Sequence, residues 1–445
     1  MRGCKKRVSI GILLTIKLTL LYSQDSLTNQ NYLPLSLSEV WLKATDYSKK
    51  IQLMQFETEL KREEIREVQY ERLPEIEMKG HIEYATNFPQ YTEGLFRKPE
   101  QHEVIHILYR IGTDSYLNLY NGNKLNLTID KKKLLYEIAE IQKKYTISEI
   151  KLQATTFYLH LLRSMLFKDL MLQDIAYQEK QLKEIRGLLK NGVALKNDEL
   201  RVELKLSQQK LTLIQIENDI AIANQKLNIL IGLPDEQLVE PVESVQPHLL
   251  PIKSYEDYLH EAEAHSYDYH ISEKQVEYSK VHLQYIKANI RPKIGLYGDM
   301  WTANPQIFLY PYSPSTYTLG LFGIRASIPL SELYTNIPKT KLAMLEHKKE
   351  ELAHHDIEDK IRQDVYEAFL RFKEALMRVD VEKVNIGHAT ENARIIKNNY
   401  INKTALITEL LDADLQVLQT KFQYVNAQIE AQLKYYQLQH ILGNL

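Results

Sequence analysis

From Asn123 to about Arg186 the chain carries neither proline nor glycine. At about 1.5 Å per residue, roughly 60 helical residues make a rod on the order of 90 Å long. A compact domain does not house such a rod, so the sequence predicts an elongated, mainly helical molecule. The rest of the composition agrees. Only 15 glycines and 14 prolines occur in 445 residues, while 44% hydrophobic and 26% charged residues fit a folded rather than a disordered chain.

The chain is written twice. The phrase "LNILIGLP" (227–234) closes one long helical run and "LQHILGNL" (438–445) closes another. Upstream, 38–80 and 255–298 are matching charged helical runs, each broken by a proline (Pro74, Pro292) and followed by an alternating segment that ends in glycine. "LYNGN" (119–123) answers "LYTNI" (333–337), and "LLKNG" (188–192) answers "IIKNN" (395–399). This predicts two structural repeats, 24–232 and 253–445, joined by the Pro-rich segment 233–252 acting as a stiff connector. The last helix of each repeat carries a heptad seam. Val202, Leu206, Leu213, Ile216, Ile220, Leu227 and Leu230 interrupt it only at Gln209, and the second copy places Thr420 at the same point between Ala413 and Ile441. Such a seam predicts coiled-coil packing.

Between the helices lie two predicted hairpins, 74–120 and 292–330. In the first, Ile76, Met78, Ile82 and Tyr84 alternate with Glu75, Glu77, Lys79 and His81; in the second, Ile294, Leu296 and Met300 are opposed to Lys293 and Asp299. Strict alternation gives a strand one apolar and one charged face. Two amphipathic hairpins capping a bundle satisfy that pattern, and so does a membrane β-barrel with lipid outside and a polar lumen. Four strands cannot close a barrel, for which about eight is the minimum, so the second reading requires several chains.

The opening "MRGCKKRVSIGILLTIKLTLLYSQD" has the basic, apolar and small-residue layout of a secretory signal, with cleavage expected after Ser23. The only cysteine, Cys4, lies inside it, so the exported chain has no thiol for a disulfide, a zinc–thiolate site or a nucleophile. Removing 1–23 takes five basic residues and no acid, leaving 51 basic against 58 acidic residues, a charge of −7. That balance argues against nucleic acid. No metal-binding, nucleotide-binding or nucleophile–base motif occurs, which argues against an enzyme and against any cofactor.

The order helix, hairpin, long helix, heptad helix, repeated after a signal peptide, resembles the TolC family of outer-membrane efflux proteins over about 35–443. The resemblance implies a mainly α fold with a membrane β-barrel part: a homotrimer with four strands per chain in one 12-stranded barrel and a duplicated long-helix coiled-coil α-barrel. It also implies a passive exit duct in the outer membrane of a Gram-negative bacterium, extending into the periplasm. Its partners would be outer-membrane lipid, a periplasmic adaptor protein and, indirectly, an inner-membrane pump. Glu75, Glu77, Lys79, His81, Lys293 and Asp299 would then face the lumen, and Ile76, Met78, Ile82, Tyr84, Ile294, Leu296 and Met300 the lipid. At the periplasmic tip, Asn197, Asp198 and Tyr400 match the family's linking positions, whereas its linking arginine falls on Ala405. Glu409 and Asp412 match the acidic ring that narrows the pore; three apart, they share a helix face. An exported coiled-coil scaffold or adaptor without a pore is the alternative reading.

Overall fold

The computed structural model describes residues 32–243, 250–306 and 313–445. The predicted signal segment 1–23 and part of the 233–252 connector lie outside them. In chain order the elements are β1 (Leu33–Leu35), α1 (Leu37–Tyr47), α2 (Lys49–Tyr70), β2 (Glu75–Tyr84), β3 (Phe88–Gln90), β4 (Glu100–His102), β5 (Ile107–Asn121), α3 (Lys124–Lys190), α4 (Lys196–Ile231) and β6 (Val239–Pro241). They continue as α5 (Tyr255–His265), α6 (Tyr267–Lys287), β7 (Lys293–Asn304), β8 (Tyr317–Ser327), α7 (Glu332–Ile401) and α8 (Ile407–Ile441). The predicted rod is α3, 67 residues, and its counterpart α7 has 70. Each is about 100 Å long. Among the described residues, no helix is long and apolar enough to cross a membrane.

The duplication holds at a finer grain than the sequence phrases suggested. The charged run opening each repeat is two helices. Ser36 caps α1 in a reciprocal box with Glu39, and Ser254 caps α5 with Asp257. Each 11-residue helix then stops at a serine with non-helical dihedrals, Ser48 or Ser266, and a longer helix resumes. Serine competes for backbone hydrogen bonds, so it breaks a helix that hydrophobic periodicity alone would carry through. The Pro-rich connector is more than a spacer. Its β6 pairs in parallel with β1, and Asn224 holds it by donating to Gln237 O at 2.7 Å and accepting from Val239 N at 2.9 Å.

The heptad seam of α4 is its packing face: Val202, Leu206, Gln209, Ile216 and Leu227 are buried. One core joins α1, α3, α4 and the tail of α8 around Val40, Ala44, Tyr158, Leu161 and Leu227. The Tyr158 hydroxyl donates from that core to Leu35 O at 3.0 Å. A second core, of Met171, Ile175, Leu182, Val202, Leu206, Leu410 and Leu418, fastens hairpin α3–α4 to hairpin α7–α8 near their turns.

Both hairpins join one antiparallel sheet in the order β2-β5-β7-β8. Glycine lets rings lie flat on it. A Cβ at Gly112 would sit 2.6 Å from Trp301 Cβ, and one at Gly295 would sit 2.5 Å from the Tyr116 ring. Any side chain at these positions would clash with the neighbouring strand or ring.

The two helical turns are equivalent. Val193 N donates to Leu188 O and Thr404 N to Asn399 O, both at 2.8 Å, and the left-handed position is Gly192 (φ +70°) in one and Lys403 (φ +62°) in the other. A side chain at such a φ costs about 1 kcal/mol that glycine avoids. Lys403→Gly is therefore expected to raise stability by about 0.5–1 kcal/mol and Gly192→Ala to lower it by about 1 kcal/mol. Thermal melting followed by helical circular dichroism reads both, as a raised Tm for the first and a lowered Tm for the second.

Candidate functional site

Strand register decides which side chains share a face, because directly paired residues in an antiparallel sheet point the same way. Glu77 pairs with Asp114 and Asp114 with Asp299, so three carboxylates stand in one row across β2, β5 and β7. Lys79 sits against that row, 2.8 Å from Glu77 and 3.0 Å from Asp114. Glu75, His81 and Lys293 take the same face, with Arg110 opposite His81. The Arg110 guanidinium lies 4.1 Å from the Trp301 ring centroid, and Arg325 lies 5.0 Å from that of Tyr297. The charged sets predicted separately for the two hairpins thus form one continuous surface. Asp114, Arg110 and Arg325 belong to it as well. Sequence alternation missed them because glycines interrupt the pattern in β5 and β8.

The opposite face collects Ile76, Met78, Ile82 and Tyr84, then Ile107 and Ile111, then Ile294, Leu296 and Met300, then Phe322 and Ile324. All are exposed in the single chain, Ile82 and Phe322 to 80%. An apolar surface this large is left bare only where something else covers it. Strands β2 and β8 are both sheet edges, each with one row of backbone groups unpaired by the described residues.

At the far end of the helices, the turns bring the predicted linking residues together. The Tyr400 hydroxyl at the end of α7 donates to Asp198 Oδ2 at 3.4 Å, and the same oxygen accepts from Leu195 N at 3.2 Å. Asp198 therefore caps α4 and ties the second hairpin to the first. Burial, then the Asp198 charge, pushes the Tyr400 phenol up to about 12, so it remains a donor throughout the neutral range. No ion pair reaches Asp198 among the described residues, in keeping with alanine at 405. Cations nearby are engaged elsewhere: Arg186 holds Glu199 at 2.8 Å and Glu203 at 2.6 Å, and Lys196 also binds Glu199. Asn197 is exposed, and its side chain makes no hydrogen bond among the described residues.

Glu409 occupies in α8 the place of Asp198 in α4, accepting from Leu406 N at 3.2 Å. "ALKND" (194–198) and "ALITE" (405–409) show that equivalence in sequence. Glu409 and Asp412 are both exposed and form no ion pair among the described residues. A further cluster was not singled out by the sequence. Asp414 on α8 is buried between the hairpins and Asp174 on α3 is half-buried beside it; Gln209 donates to Asp174 and Gln181 to Asp414 at 3.0 Å. Gln209, the polar break in the heptad seam, was the available signal.

No protein-family model matches the chain, and no curated protein matches it by sequence. Solved structures do match its fold. The outer membrane protein VceC from Vibrio cholerae is similar at a TM-score of 0.72 and 13% identity, over 92% of this chain and 96% of that one. CusC, described in a study of transmembrane channel formation, gives 0.76 and 13%, over 92% of each chain. The open state of the Neisseria gonorrhoeae MtrE outer membrane channel gives 0.69 and 15%, over 92% and 88%. The chain therefore has the fold of these outer-membrane channel proteins, long helices and strands together.

Tyr400→Phe removes the cross-hairpin hydrogen bond and leaves the cap, at a cost of about 1 kcal/mol. Asp198→Ala removes both, at about 1–2 kcal/mol. Amide exchange of residues 191–200 is expected to quicken about fivefold in the first variant and further in the second.

Proposed function

We propose that the chain is one third of a homotrimeric outer-membrane exit duct, through which substrates pass passively from a periplasm-spanning assembly to the exterior. The observation that carries this reading is the four-stranded sheet with an apolar face, a charged face and two open edges, mounted on helices α3 and α7, each about 100 Å long. Ten paired residues along β2 rise about 33 Å and, tilted near 45°, span about 23 Å, close to the height of an outer-membrane apolar band. In hydrocarbon every backbone donor and acceptor needs a partner, so each β8 edge takes the β2 edge of the next chain. Three chains give 12 strands.

The helices support the same count. Besides the seam packed within the chain, α4 exposes Leu200, Leu204, Leu211, Ile214, Ile222 and Ile229, and α7 exposes Tyr366, Leu370, Met377, Val381 and Val384, both near heptad spacing. These unpartnered seams suit contact between neighbouring copies. The charged sheet face lines the barrel lumen in this reading, and Glu409 with Asp412 ring the tip, favouring cations. The outer surface of the tip receives a periplasmic adaptor coupled to an inner-membrane pump. The residue range 24–232 and its copy 253–445 act as two repeats of one duct-building unit.

Fractionation of the envelope and light scattering of the detergent-extracted protein test the proposal. Outer-membrane residence with a trimeric mass is expected; a monomer released by carbonate would leave an exported scaffold instead. Leu211→Asp is expected to abolish the trimer while the chain keeps its helical content. Glu409→Gln preserves the α8 cap and removes the charge, so the double variant with Asp412→Asn is expected to lower cation selectivity in planar bilayers without lowering Tm. Unchanged selectivity would remove both residues from the pore.

A further inference from the structure

Some two turns inside the helical tips, α3 and α8 meet over a polar layer for which a passive duct has no use. Asp414 is 7% exposed in the second core, and its carboxylate takes its hydrogen bond from Gln181 across the seam between the hairpins. Asp174, about two turns from Gln181 on the same helix, accepts from Gln209 of α4 within its own hairpin and meets the second hairpin at the cavity it lines together with Asp414. Gln178 lies between them, 1% exposed, with its amide directed at Asp414 and its amide oxygen without a donor among the described residues. The amide oxygens of Gln181 and Gln209 are likewise without donors. A cavity of about 480 Å³ adjoins the layer, lined among others by Asp174, Tyr177, Lys397, Asp414 and Lys421.

The surrounding charges do not neutralise the two acids by contact. Lys205 faces them from α4, Lys421 from α8, and Arg394 and Lys397 from α7, yet none forms an ion pair with either carboxylate among the described residues. Arg394 is held by Glu391 of its own helix at 2.7 Å, and Lys397 reaches Glu184 at 3.8 Å and the Tyr177 hydroxyl at 3.5 Å. Two acidic side chains without a contacting counter-ion share the layer with three amide oxygens that have no donor. A single proton relieves part of this: it removes one charge and gives one carboxyl one O–H to donate.

We propose that Asp174 and Asp414 form a proton-operated latch between the two helical hairpins, closed while the pair holds a proton and loosened when both carboxylates are ionised. Its consequence for flow rests on the duct reading; the latch itself lies within one chain. Burial, followed by the Asp414 charge, raises Asp174 to about 6, and burial raises Asp414 as well. A carboxyl raised in the folded state contributes stability fully below its unfolded value near 3.8, and that contribution is lost as pH rises through about 6. The seam is therefore tight in mild acid and loose at neutral pH.

Amide hydrogen exchange of segments 174–182 and 410–418 in the purified full-length protein, at about pH 5 and pH 7.5 and corrected for intrinsic rates, tests the latch. Wild type is expected to open about tenfold or more readily at the higher pH. The Asp174→Asn/Asp414→Asn double variant is expected to lose that dependence, whereas Glu409→Gln/Asp412→Asn keeps it. A pH-independent wild type, which needs no variant to fold, overturns the proposal, as does a double variant that retains the wild-type profile. A protein that forms no pore yet shows the pH-dependent exchange overturns the duct and upholds the latch.

Discussion

Antiparallel pairing of β5 with β7 sets Asp114 opposite Asp299 and Thr113 opposite Met300. That one register joins two copies of a helix–hairpin–helix plan into a single sheet and puts both charged sets on the same side. A slip of one residue would turn the second hairpin over, mixing Lys293 and Asp299 with Ile76 and Met78. With the faces in phase, the sheet has an apolar side that no part of the described chain covers and two bare edges. The long helices extend from the ends of these same strands: β5 runs into α3 within three residues and β8 leads to α7 within five. The position of each helical hairpin in the bundle is therefore set at the sheet.

What the sequence made legible depended on whether the signal was local. The alternation in β2 is broken only at Gly80, and its faces could be read without any partner strand. Strand β8 was harder, since Gly320 and Gly323 stand where the alternation would need side chains and lie beneath Phe322 and Tyr297. The breaks at Ser48 and Ser266 were invisible to hydrophobic periodicity, which continues across them, although each serine sits at the same place in its repeat. The tip residues Asp198 and Tyr400 came from the family resemblance alone. Nothing in their own flanks says that a tyrosine at the end of α7 meets the cap of α4. Asp174 and Asp414 were hidden for a related reason: an acid on a long charged helix reads as solvated until the helix opposite it is known.

The two copies differ at their turns. Glycine in the first has become lysine in the second, and aspartate at the cap has become glutamate. The first turn is tied down by Arg186 and Lys196 on Glu199 and Glu203, all within hairpin α3–α4. The second turn has no equivalent, since Leu410 and Asp414 stand where Glu199 and Glu203 stand in the first. One of the two replaced acids has thus become core, and the other has become the acid buried in the seam.

That exchange concentrates mechanical consequence in few bonds. Near the tip, the second hairpin is held to the first by the apolar core and by a short set of polar links: Tyr400 to Asp198, Gln181 to Asp414, and Lys397 to Tyr177 and Glu184. The first turn has ion pairs within its own hairpin, whereas the polar links near the second turn run to the first hairpin. A rigid movement of α7–α8 breaks those links without disturbing either hairpin's own packing, because the α3–α4 and α7–α8 seams lie within each pair. The apolar core between the hairpins resists separation more than rotation, as non-directional contacts re-form at a new angle while hydrogen bonds do not. Polar links at this seam consequently set which rotation is preferred, and the charge state of Asp174 and Asp414 acts on that preference directly.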